Sequence, residues 1–105
     1  MTAFAATLDR LFLDPNLASD ALWRVGGAGA GVAVRVIRKS PDRIVGFGDS
    51  RAVMPSVLID VRTAEVAEPA MGDTIEIAGG VFDIIAEPTA DTLRLVWTCE
   101  ASLRP

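Results

Sequence analysis

Apolar and polar positions along this chain fall into two periods. In the first twelve residues Phe4, Leu8, Leu11 and Phe12 recur at spacings of four, three and one, which places them on one helical face. The spacing predicts a short amphipathic helix over Thr2–Leu13. Asp14-Pro15-Asn16 stops it, because a proline disfavours helical backbone in the residue before it. From there the period is two. "ALWRV", Ala21–Val25, and "VAVRVIR", Val32–Arg38, read as strands; in the second, Val32, Val34 and Val36 alternate with Ala33, Arg35 and Ile37. "SVLIDVR", Ser56–Arg62, is the clearest strand, with Val57, Ile59 and Val61 on one face and Leu58, Asp60 and Arg62 on the other. "TIEI", Thr74–Ile77, turns Ile75 and Ile77 inward and Thr74 and Glu76 outward. "VFDIIAEP", Val81–Pro88, and "TLRLVWTC", Thr92–Cys99, complete the set, the last with Leu93, Leu95 and Trp97 on one face. Ala64–Ala67 reads as one helical turn, and the tail "EASLRP" is too short for an element.

Turn chemistry separates these runs. "KSPDR", Lys39–Arg43, combines a proline with residues that bond locally. Ala78-Gly79-Gly80 reads as a hairpin turn. Gly46–Pro55 has no sustained period and reads as a long, mobile loop, a kind of segment that is often functional. The run "VGGAGAGVAV", Val25–Val34, raises the question of a phosphate cradle. A dinucleotide loop needs G-x-G-x-x-G between a strand and a helix. Gly27 and Gly29 would require glycine where Val32 stands, and a strand follows, not a helix. No Lys-Ser or Lys-Thr follows a glycine of this run, as a P-loop requires. The run reads as a hairpin loop that uses glycine for positive φ.

The expected fold is mainly β: a small β-barrel or sandwich of about six short antiparallel strands, with an N-terminal helix and a long mobile loop. At 105 residues the chain is expected to form one domain, 1–105. Its expected core is Val57, Ile59, Val61, Ile75, Ile77, Phe82, Ile84, Leu93 and Leu95, the inward period-2 positions. Two segments do not fit into so small a core: the helix face at Phe4, Leu8 and Phe12, and the loop residues Phe47, Asp49, Arg51, Val53 and Met54. These are the candidate subunit and partner interfaces, and Arg51 is the charge expected to meet an acidic neighbour.

Composition narrows the chemistry. Half of the residues are hydrophobic, high for a small monomer and consistent with surface hidden against partners. The net charge is −4, from 10 basic and 14 acidic residues, which argues against a nucleic-acid-binding module. It does not argue against a protein that DNA passes, since phosphate contacts would hinder sliding. Histidine is absent, and with it the commonest acid–base side chain and metal ligand. Cys99 is the single cysteine, so neither an internal disulfide nor a zinc cluster is expected. Lys39, the one lysine, reads as a solvated turn residue, and Asp60 and Asp83 as solvated or paired with Arg62 or Arg94. Catalytic, metal and cofactor sites are all expected to be absent; the chain reads as a non-enzyme. No apolar stretch reaches the roughly 18 residues that span a membrane. "MTAFAATLDRLF" lacks a basic lead and reads as no signal peptide, so the expected place of synthesis is the cytosol.

Arg62–Trp97 carries a further signal. Arg62, Thr63, Glu65, Val66, Gly72, Asp73, Ile75, Ile77, Gly79, Phe82, Ile84, Leu93 and Leu95 stand in an order that resembles the C-terminal half of the lambda-type head–tail joining proteins of long-tailed phages. The resemblance covers about a third of the chain. The Val25–Val34 hairpin departs from it. The resemblance implies a β-barrel subunit that assembles with itself into a ring, expected as a hexamer, beneath the portal. Such a ring closes the DNA exit channel and offers a docking platform for the tail. Implied partners are portal or adaptor proteins on the head side and tail terminator or tail tube proteins on the tail side, with DNA passing through the lumen without sequence-specific binding and no membrane contact. The implied location is the head–tail connector of a virion or gene transfer agent particle, assembled in the bacterial cytoplasm. The alternative is a free-standing OB-like or SH3-like barrel that binds a peptide or small ligand.

Overall fold

A computed structural model describes residues 3–39 and 56–104. Helix α1, Ala3–Leu13, matches the expected amphipathic segment and ends one residue before Asp14. Asp14 then organises the exit: its carboxylate accepts the Asn16 N–H at 2.8 Å and its carbonyl the Ala18 N–H at 2.9 Å. Seven strands follow among the described residues: β1 Ser19–Arg24, β2 Val32–Lys39, β3 Val57–Arg62, β4 Thr74–Ile77, β5 Gly80–Ile84, β6 Thr89–Ala90 and β7 Val96–Leu103. All pair antiparallel, in the order β3-β2-β1-β4-β5-β7-β6, and β3 also pairs with β7. That last pairing closes six strands into a barrel and leaves the two-residue β6 outside it.

Trp23, Val36, Ile59, Val61, Ile75, Ile84, Cys99 and Ala101 fill the interior, each at most 2% exposed. A six-stranded barrel is too narrow to hold more than side chains. The inward positions follow the period-2 expectation: Ile59, Val61, Ile75, Ile77, Phe82 and Ile84 are buried, and Val57 is half-buried against the same core.

The chain after β6 departs from expectation and corrects two core assignments. Thr92–Leu95 is a tight turn, not the start of a strand. The Asp91 carboxylate accepts the N–H groups of Leu95 at 2.6 Å and Val96 at 2.9 Å. Local bonding of this kind competes with ladder pairing. The strand therefore begins at Val96 and runs through the tail to Leu103. Leu93, expected inside, is 59% exposed, and Leu95 is half-buried at the surface. Thr74, expected outside, is buried; its methyl lies 3.3 Å from where a Cβ on Gly27 would stand.

Two hairpins show the turn chemistry at work. Ala78 and Gly79 join β4 to β5 with φ of 51° and 88°. Positive φ at both central residues marks the turn type whose twist suits a hairpin. Between β1 and β2, Gly26, Gly27, Gly29 and Gly31 all have positive φ. The glycine run is a hairpin loop, and strand β2, not a helix, follows it.

Candidate functional site

The surfaces available for docking depend on what holds α1 and the glycine hairpin in place. Helix α1 lies across the barrel wall and is held at its C-terminal end. Phe12 is 1% exposed and sits under the Arg62 guanidinium, 5.2 Å from the ring centroid. Arg62 also donates to Asp9 at 3.1 Å and to Glu65 at 3.0 Å, so one side chain ties the helix to β3 and to the connection after it. Its Nε is buried with no hydrogen-bond partner among the described residues, and the ring face below supplies the attraction instead. From β2, Arg35 donates to the Phe12 carbonyl at 2.9 Å and to Asp20 at 2.9 Å. Burial of Phe12 corrects its assignment as a partner contact: it anchors the helix to its own barrel.

The rest of the helix stripe is different. Leu8 is half-buried, and with Ala5 and Asp9 it faces Arg62, Thr63, Ala64 and Leu95 across a groove of about 180 Å³. Phe4 and Leu11 are 49% and 40% exposed. A helix pinned at one end thus keeps part of its apolar face in water. The expected interface residues Phe47, Asp49, Arg51, Val53 and Met54 lie outside the described residues.

The second fixed element is the glycine hairpin, clamped by Asp73. This carboxylate is buried, at 3% exposure. It accepts three hydrogen bonds, from Trp23 Nε1 at 3.1 Å, the Gly26 N–H at 2.9 Å and the Ala70 N–H at 3.0 Å. Asp73 thereby joins the barrel core, the hairpin and the approach to β4. Burying a polar group costs free energy unless it is hydrogen-bonded, and here carboxylate and donors satisfy one another. In the sequence Asp73 stood out only as one of the residues that carry the family resemblance. The missed signal was an acid beside a glycine, entering a strand, with a tryptophan elsewhere in need of a partner.

Cys99, Asp60, Lys39 and Asp83 are each engaged within the fold. Cys99 is fully buried in the barrel; desolvation, and then the charges of Asp60 and Asp73, push its thiol up to about 12. A thiol held protonated at neutral pH is a poor nucleophile. Asp60 accepts from Thr98 at 2.8 Å and pairs with Lys39 at 3.1 Å. Lys39 is therefore the paired last residue of β2, not a solvated turn residue. Asp83 pairs with Arg104, not with Arg62 or Arg94. Among the described residues no group of three or more Asp, Glu or Cys side chains is placed to hold a metal ion. No helix among the described residues is long and apolar enough to cross a membrane. Trp23 is buried and Trp97 half-buried in the wall, so neither offers the open stacking face that single-strand-binding barrels use.

What remains is surface. Ten large apolar side chains among the described residues are exposed, including Phe4, Leu11, Val25, Val32, Met71 and Leu93. The barrel is closed, so apart from the short β6 its strands offer little free edge for another chain to extend. Partners would have to be met chiefly by side chains. The model of a family described as phage head-tail attachment protein matches residues 1–101, which takes in α1 and all but the last two residues of β7. No curated protein matches the chain.

Proposed function

Because the chain belongs to the phage head-tail attachment family, and so is a structural part of the virion at the junction of head and tail, we propose that it acts there as a self-assembling ring. The unit is a single domain over 1–105, and six copies surround the DNA path. On the head side the ring meets portal or adaptor proteins, and on the tail side tail terminator or tail tube proteins. It retains the packaged DNA and gives the tail its docking platform.

The observation that carries this reading is the combination of a filled barrel and a wet apolar surface. The interior is packed with side chains, so no DNA path can run through a subunit. A channel has to be bounded by several subunits. Each subunit has apolar side chains to spare, and large exposed apolar patches mark docking sites. The net charge of −4 suits a lumen that DNA must traverse without being held. The helix stripe at Phe4 and Leu8 and the segment with Phe47, Asp49, Arg51, Val53 and Met54 are the surfaces assigned to neighbours and partners.

Deletion of Gly48–Val53 tests the assignment. The variant should fold, by circular dichroism, while particles counted by electron microscopy become DNA-filled heads without tails. Normal numbers of complete particles from the deletion would remove that segment from the mechanism.

A further inference from the structure

Two features of this chain fit one another. The first is the turn that displaced Leu93 from the core. Besides the two bonds its carboxylate accepts, Asp91 accepts the Arg94 N–H on its carbonyl at 3.0 Å and donates its own N–H to the Val96 carbonyl at 3.1 Å. Thr63 Oγ1 donates to the Arg94 carbonyl at 2.9 Å. These bonds hold Arg94 at φ 57°, a left-handed conformation strained for a residue with a side chain. Strain of this kind persists only where the surroundings over-determine it. The fixed turn displays Leu93, 59% exposed, beside an Arg94 guanidinium that has no ion-pair partner among the described residues.

The second feature is a groove of about 330 Å³ between the β1–β2 hairpin and the connection after β3. Val25, Val32, Val66 and Ala67 are among the residues that wall it, and Val25 and Val32 are 74% and 58% exposed. Glu68 stands at the groove, and its carboxylate has no partner among the described residues. The turn offers an apolar knob beside a free cation. The groove offers an apolar socket beside a free anion. The two share no residue, so each subunit carries both halves of a contact.

We propose that the Leu93–Arg94 turn of one subunit seats in the Val25–Val32–Ala67 groove of a second copy, with Leu93 covering the valines and Arg94 paired with Glu68 of the partner subunit. A contact between two different patches is head-to-tail, the kind that closes a ring when the rotation permits. The proposal rests on the ring reading above and adds which surfaces meet. A turn already rigid before docking loses little freedom on binding, which favours the contact.

The test is a thiol pair, A67C with R94C in the full chain, assembled into particles and treated with a short thiol cross-linker; Cys99 is fully buried and stays out of reach. The expected result is a ladder of multiples of the 11.1 kDa subunit from the double variant and none from either single variant. In parallel, R94E and E68R should each lower the yield of tailed particles at least tenfold, and R94E/E68R together should restore most of it. Circular dichroism checks that each variant folds. If formaldehyde gives subunit multimers in the same particles but the thiol pair does not, this contact is refuted and the ring stands. If neither gives multimers, the ring falls as well. A cross-link from R94C to a head or tail protein also overturns the proposal.

Discussion

Replacing Asp73 with alanine removes the acceptor of three hydrogen bonds at once. The donors are not equivalent. Trp23 is 2% exposed, so its indole N–H would be left buried and unpaired, at about 1–3 kcal/mol. Gly26 and Ala70 are exposed residues, and water can replace the lost acceptor there at about 0.5–1 kcal/mol each. The whole loss should be about 3 kcal/mol, a large share of the roughly 5–15 kcal/mol that holds a small domain together. Urea unfolding followed by tryptophan fluorescence measures it directly. A double-mutant cycle then isolates the central bond. Trp23→Phe removes the indole donor, so its cost should shrink in the Asp73→Ala background, with a coupling of about 1–2 kcal/mol. A loss under about 0.5 kcal/mol for Asp73→Ala, or a coupling of zero, would refute the clamp.

Phe12→Ala should cost about 3–4 kcal/mol and free α1, seen as loss of amide protection in hydrogen exchange over Ala3–Leu13 while the barrel strands stay protected. Ala78→Gly should stabilise the chain by about 1 kcal/mol, since the residue already sits at φ 51°; a drop in urea midpoint would contradict the turn assignment. Backbone N–H bonds, that of Val96 foremost, hold the Asp91 carboxyl below its ordinary value of 3.8. Because the folded-state value is the lower one, its support of the turn is present above the unfolded value and is lost as pH falls through the folded one. The Leu95 and Val96 amide resonances should therefore titrate with a midpoint below 3.8, and a midpoint above it would count against the bonding described.

Much of the barrel was legible because its strands keep a strict period. In β3 and β4 every second residue is a β-branched aliphatic, and one register turns them all toward the core, with only Val57 at the strand's start left half-buried. The last strand shows where pattern reading stops. Leu93, Leu95 and Trp97 have the right parity, and the inward set does continue at Cys99 and Ala101. Asp91 folds its successors into a turn before the ladder can reach Leu93, and a polar residue's local bonds leave no periodic trace. Phe12 was legible as apolar but not as an anchor, because its hold depends on Arg35 and Arg62, which only the fold brings near it. The Trp23–Asp73 bond joins residues fifty positions apart, so nothing local announces it.

Electron cryomicroscopy of the particle neck puts the central claim to the most direct test. A head-to-tail ring of these barrels should appear between head and tail, coaxial with the DNA, with six copies around the channel and the Phe4–Leu8 face of α1 in contact with a neighbouring chain. Density for this protein as an isolated copy, or anywhere other than the head–tail junction, would contradict it.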